Sequence, residues 1–339
     1  AVLEPSGTEL EYYFLSAWDG EPGGIKTEAE FVAYLQQEVE KLTLTPRLTL
    51  KTSLSAAQTK QPLTAARALY WSQQLANSEL SRQAGQYYWG GWDTERDRPV
   101  SFEYTTGLLM QAYDDLYEVA PKAQYQAVVA RMADSFVAAD GTIHSYDASK
   151  FNIDSINSGS VLLRMFEKTA DAKYQQAAAK LRAQLQDHPK TSNGAFWHKK
   201  IYTWQMWLDG LYMGAPFYAE YAMLFHEDTA FNDIANQFIW MEKHARDPKT
   251  GLLYHAWDES KQQQWANKTT GTSPHFWARA MGWYADALVD ALDYFPTNHP
   301  KRNDLIGILN RLVNAIEKQQ DPETGLWYDV MNYNGPGKE

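Results

Sequence analysis

The chain has 339 residues, 44% of them apolar, enough for one large domain or two smaller ones with a sizeable core. A formal charge of −11 argues against nucleic acid or an anionic membrane as partner, and the absence of cysteine excludes disulfides, thiolate catalysis and sulfur-based zinc sites. The 13 Trp and 21 Tyr exceed what core packing usually calls for and point to carbohydrate, whose pyranose faces stack on flat rings.

The first 60 residues stand apart. Thr27-Glu28-Ala29-Glu30 has the pattern of a capping box opening a helix to about Leu42, and Thr43 to Gln61 is a Thr-, Ser-, Lys- and Gln-rich linker. Residues 1–60 are therefore expected to be an appendage or the tail of another domain, and 61–339 the main domain. Pro62 suits a first helical position. From there the apolar residues recur at three- and four-residue spacing. The pattern predicts helices near 62–79, 103–118, 122–137, 155–168, 172–186, 207–225, 230–244, 275–294 and 302–319, with no competing strand pattern of comparable length.

Between helix pairs one connector returns. It reads Asp140-Gly141-Thr142-Ile143-His144, then Asn193-Gly194-Ala195-Phe196-Trp197-His198, then Thr250-Gly251-Leu252-Leu253-Tyr254-His255, then Thr324-Gly325-Leu326-Trp327-Tyr328. Repeated helical hairpins stack as an open solenoid or close into a ring. Each connector sets aromatic, His or Asp residues after its glycine, as though all converged on one end of a barrel, so an all-α (α/α)6 toroid of up to six hairpins is expected. The chain stops just after the fourth connector, so a last helix is expected to be missing. It also starts without an initiator Met or signal peptide, which suits a processed or excised start. No apolar run approaches the roughly 18 residues of a membrane helix, and no membrane partner is expected. The compartment stays open between bacterial cytoplasm and periplasm, and the oligomeric state between monomer and weak oligomer.

No metal signature is present, and neither a metal nor a cofactor is expected: the histidines form no His-x-x-x-His pair or facial triad. Asp154, in Phe151-Asn152-Ile153-Asp154-Ser155-Ile156, reads as a helix cap or as an acid in a site. Asp209 sits among large apolar residues in Gln205-Met206-Trp207-Leu208-Asp209-Gly210-Leu211-Tyr212. A carboxylate there is costly unless paired, protonated or used. It reads as a cap, or as a general acid whose pKa is raised by burial and by a second carboxylate such as Asp154, although a helix N-terminus acts in the opposite direction. His198 and His255 follow the same glycine-aromatic connector and share an expected orientation, with a structural role as the alternative. Helical spacing sets Arg279 and Trp283 on one face with Trp277 at the helix start. That group is either a packed helix with a solvated Arg or an aromatic shelf with a cation for a carboxylate.

From about residue 62 onward the chain resembles glycoside hydrolase family 105, the unsaturated rhamnogalacturonyl hydrolases, and more distantly the unsaturated glucuronyl hydrolases of family 88. The stretches that carry the resemblance are Asp154-Ser-Ile-Asn-Ser-Gly, Gly194-Ala-Phe-Trp-His198-Lys, Trp207-Leu-Asp209-Gly, Leu253-Tyr-His255 and Phe276-Trp-Ala-Arg279-Ala-Met-Gly-Trp283. The resemblance implies a metal-independent hydrolase that removes a terminal 4,5-unsaturated galacturonic acid from lyase-generated rhamnogalacturonan (pectin) fragments by hydrating its vinyl ether. It implies Asp209 as general acid/base and Asp154 as its partner, with His198, His255, Trp277, Arg279 and Trp283 binding an unsaturated acidic oligosaccharide. Residues 1–60 have no place in that family's core and resemble the end of a different domain. The rivals are an unsaturated glucuronyl hydrolase acting on ulvan or glycosaminoglycan fragments and a non-catalytic sugar-binding toroid.

Overall fold

A computed structural model describes residues 64–83, 87–93, 96–333 and 335–338. The chain divides into a first unit, Ala1–Ala68, and a second, Leu69–Glu339. The expected Thr27–Leu42 helix, the Thr43–Gln61 linker and the Pro62 start lie outside the described residues.

The described residues hold nine α-helices. These are α1 (Ala65–Gln83), α2 (Tyr104–Val119), α3 (Ala123–Phe136), α4 (Gly159–Thr169), α5 (Ala172–Asp187), α6 (Leu208–Leu224), α7 (Ala230–Ala245), α8 (Ala278–Tyr294) and α9 (Arg302–Glu317). Helices α2, α4, α6 and α8 pack side by side in sequence, while α3, α5, α7 and α9 return as the antiparallel partners of successive hairpins. The result is an (α/α) toroid. Helix α6 is its axis of burial: it packs on α8, α4, α5 and α7, and its residues from Gly210 to Ala222 are all buried. A helix apolar on every side belongs in an interior.

Strands are short and serve only the mouth. They are β1 (Trp92–Asp93) with β2 (Arg98–Pro99), β3 (Gln205–Trp207) with β4 (Ala256–Asp258), and β5 (Tyr328–Val330) with β6 (Gly335–Lys338), each pair antiparallel. Single bridges Val137 to Ile143, Lys190 to Phe196 and Arg246 to Leu253 close the repeated connectors. Gly194 shows why a glycine recurs in them: its φ is 96°, a left-handed value that side-chain-bearing residues rarely adopt, and Gly141, Gly251 and Gly325 repeat it.

The connectors are then sewn edge to edge around the N-termini of α4, α6 and α8. His198 N donates to Gln205 O (2.8 Å), Leu208 N to His255 O (3.0 Å), His255 N to His275 O (3.3 Å) and Met331 N to Phe276 O (2.9 Å).

Two helix starts differ from the sequence pattern. The segment expected as helix from 155 is a separate 3-10 turn, Ile153–Ile156, and α4 proper begins at Gly159. Helix α8 begins at Ala278 rather than near 275, because His275 to Trp277 belong to the extended rim: Trp277 has φ −87° and ψ 119°. Rim bonds, which periodicity cannot see, decided both.

Close helix approach depends on missing side chains. A Cβ on Gly107 of α2 would lie 2.7 Å from the Ser158 Cα, a backbone atom that cannot swing aside. Gly107→Ala is therefore expected to destabilise the fold by about 1–3 kcal/mol through overpacking, read from urea unfolding. An unchanged midpoint would show that α2 and α4 pack less tightly than this.

Candidate active site

Asp154 lies in the 3-10 turn. The cap of that turn is Asn152, whose side chain accepts from Asp154 N (3.1 Å), so the cap reading of Asp154 itself does not hold. Its two oxygens face an imidazole and an ammonium group instead: Oδ1 is 3.1 Å from His198 Nε2 and Oδ2 is 3.0 Å from Lys199 Nζ. Burial pushes the Asp154 carboxyl up, but His198 and Lys199 outweigh it and hold the group well below the usual carboxylate range.

Asp209 is the second residue of α6, behind Trp207 as the N-terminal boundary residue, and its Oδ2 is 2.9 Å from His255 Nε2. Sequence reasoning expected burial and Asp154 to raise its pKa. Burial does raise it, yet His255, His198 and the residue's own backbone amide prevail, and the net direction is downward. The expected like-charge push from Asp154, which faces His198 and Lys199, does not set that direction.

His198 ties the halves together. Its carbonyl accepts from Ile153 N (3.2 Å), holding the Asp154 turn, and its ring lies parallel to Trp207 at 4.5 Å. Gly210 gives that ring room, since a Cβ there would sit 3.0 Å from His198 Nδ1, and a Cβ on Gly214 would sit 2.9 Å from Ile153 Cδ1. The glycine after Asp209 thus lets the Asp154 turn and its histidine settle on α6. An apolar cavity of about 20 Å³ is lined by Ile153, His198, Trp207, Gly210, Leu211 and Gly214 among others, and neither acid lines it.

The remaining sequence-predicted residues connect to this core through ring contacts. Trp277 meets the His255 ring edge-on at 5.0 Å, the exposed Arg279 guanidinium lies 4.4 Å over Trp277, and Trp283 packs on Tyr212 of α6 at 4.7 Å. All seven are linked: Asp154 to His198 to Trp207 to His255 to Asp209, with Trp277 and Arg279 continuing from His255 and Trp283 joining through α6.

Sequence reasoning gave no role to Lys199, Tyr202, Trp207 or Tyr104. Lys199 follows His198 directly, and the unusual Trp-His-Lys-Lys run was the available signal. Tyr202 lies parallel to Trp207 at 4.7 Å. Tyr104, the first residue of α2, is raised by burial and then by both Asp154 and Asp209, which places it near the two acids. No local pattern marks it.

The toroid and its acid-lined aromatic mouth define the class of (α/α)-toroid carbohydrate-active proteins. Residues 71–339 match the family model described as Glycosyl Hydrolase Family 88, and the chain belongs to that family. Residues 1–47 match a separate model, a domain of unknown function designated DUF4861. A solved glycoside hydrolase of family 105 from Clostridium acetobutylicum is 43% identical, covering 77% of this chain and 69% of its own, with a TM-score of 0.71. A possible family 105 member from Salmonella enterica shares the fold at 20% identity and a TM-score of 0.65, over 84% of this chain and 75% of its own. An unsaturated rhamnogalacturonyl hydrolase of Bacillus subtilis is 29% identical over 187 residues, 53% of this chain and 52% of that protein. The chain spans about half the length of the curated relatives it matches.

The depressed Asp154 pKa sets a sign for acid stability. A carboxyl lowered by folding contributes stability above its unfolded pKa, about 3.9, and loses it as pH falls through the folded value. Asp154→Asn should therefore be less stable than the parent near neutrality, and the gap in urea-unfolding free energy should close as pH falls below about 3.9. A gap independent of pH would mean that the ion pairs with His198 and Lys199 contribute nothing.

Proposed function

We propose that the chain removes a terminal 4,5-unsaturated uronic acid from an oligosaccharide by hydrating the C4=C5 vinyl ether, with Asp209 as acid and then base. The observation that carries this reading is the Asp209–His255 pair at 2.9 Å, set at a helix N-terminus in an aromatic mouth. Two acids without a metal suit glycosidic chemistry, but each acid here has its own histidine. That arrangement favours proton traffic through one carboxyl rather than the paired-carboxylate scheme of ordinary glycosidases.

In the unliganded site His255 and His198 hold the Asp209 carboxyl below its ordinary range, so a proton must be moved onto it before it can act as an acid. An entering uronate brings a second negative charge and expels water, and both effects favour moving the proton onto Asp209. Asp209 delivers it to C4, leaving an oxocarbenium-like centre at C5. The carboxylate so formed takes a proton from the water that adds to C5, and the resulting hemiketal opens and releases the rest of the chain. Asp154, fixed by His198 and Lys199, orients the ring hydroxyls together with His198, while Arg279 on its Trp277 shelf receives the uronate carboxylate, with Trp283 alongside. The rhamnogalacturonan class is favoured by the Bacillus subtilis relative and by the family 105 similarity at 43% identity.

Turnover is followed by loss of the ultraviolet absorbance of the conjugated C4=C5 carboxylate. Asp209→Asn should lower it by about a hundred- to ten-thousand-fold with the fold retained. A near-normal rate in that variant would remove Asp209 from the mechanism. Consumption of ulvan or chondroitin disaccharides but not rhamnogalacturonan ones would transfer the activity to glucuronyl substrates.

A further inference from the structure

Of the described Phe, Tyr and Trp residues, Phe151 and Trp204 have left-handed backbone, and of the two it is Trp204 that is exposed. It is the third residue of the turn Tyr202 to Gln205, closed by Gln205 N donating to Tyr202 O (3.2 Å), and its φ is 66°. That position favours glycine, and a bulky residue there is an outlier. Side chains two apart on an extended strand share a face, and Met206 is buried, so a regular extension of β3 would send Trp204 inward. The left-handed turn sends it outward instead, where it is 40% exposed and meets Trp197 at 5.1 Å with a 58° tilt. The conformation is held from the far side: Glu259 N donates to Trp204 O (3.0 Å), and the Glu259 carboxylate accepts from Ser192 N (2.8 Å) and from the Ser192 hydroxyl.

Strain kept in place around a side chain that the core does not use calls for a function at the surface. Trp204 stands just before β3, three residues before Trp207, in the same segment as the ring that stacks on His198. Tyr202 and Trp207 of the same segment already line the side facing His198. We propose that Trp204, backed by Trp197, is a stacking platform for the saturated pyranose next to the unsaturated uronide. The apolar C–H face of that neutral sugar would lie on the indole. This rests on the hydrolase reading for what fills the pocket, but not for the platform itself.

The test is calorimetric binding of a saturated rhamnogalacturonan oligosaccharide, which lacks the C4=C5 bond and is not turned over. Trp204→Gly should leave the melting temperature near that of the parent, since glycine suits the turn, and weaken binding about five- to tenfold. Should the glycine variant fold poorly, Trp204→Phe and Trp204→Leu decide: the first should keep most of the affinity and the second lose it. Equal binding by parent and leucine variant, or no binding by the parent, overturns the platform. Turnover of unsaturated disaccharides is measured separately. Trp204-dependent binding without turnover would reject the hydrolase reading and keep the platform, and normal turnover with Trp204-independent binding would do the reverse.

Discussion

The site depends on two largely buried carboxylates, their side chains each 14% exposed and each held by an imidazole from the rim. Asp154 faces His198 at 3.1 Å and Asp209 faces His255 at 2.9 Å. A buried carboxylate without such a partner would neutralise itself or oppose folding. Both histidines are therefore as necessary to the local structure as to any chemistry, and their main chains are committed too. The His198 carbonyl holds the Asp154 turn and the His255 carbonyl accepts from the first residue of α6. The same two residues fix where each acid sits and what charges it meets.

Those contacts require helix N-termini to come close, and small residues along the inner helices allow it. Gly210 and Gly214 lie one turn apart on α6 and admit the His198 ring and Ile153. Gly107 admits Ser158, whose hydroxyl donates to the Glu103 carbonyl at 2.7 Å, just before Tyr104. The glycine of the Trp-Leu-Asp-Gly motif is thus a packing residue for the neighbouring acid's histidine. A motif that reads as catalytic is in part a record of how tightly two connectors meet.

Most of the helices were legible in the sequence, because burial of one face leaves a three- and four-residue period whatever the tertiary context. The connector repeat was legible because the turns need left-handed backbone and glycine supplies it. What periodicity could not show is the rim. His275 to Trp277 continue an apolar pattern yet pair as extended chain, and Asp154 looked like a cap although the cap of its turn is Asn152, two residues earlier. Of the site, the acids and histidines stood out as polar residues in apolar company. Tyr104 did not, since it comes from a distant helix start, and Lys199 was hidden beside an equally basic neighbour. The direction of the Asp209 shift was missed for one reason: the sequence shows burial, whereas His255 lies 46 residues away and only the folded chain brings it to the carboxylate.

Helix α6 carries its own control for that shift. Glu220, three turns beyond Asp209, is also buried, but no imidazole faces it; Arg164 and Ser160 act on it against Glu167 and Asp114. Burial wins there, and its pKa is pushed up to about 7. Two carboxyls on one helix thus go in opposite directions, and what Asp209 has that Glu220 lacks is the pair of histidines and the backbone amide at the helix N-terminus. If the His255 imidazole were displaced, burial would weigh more heavily on Asp209 and move it in the direction of Glu220, toward the protonated form.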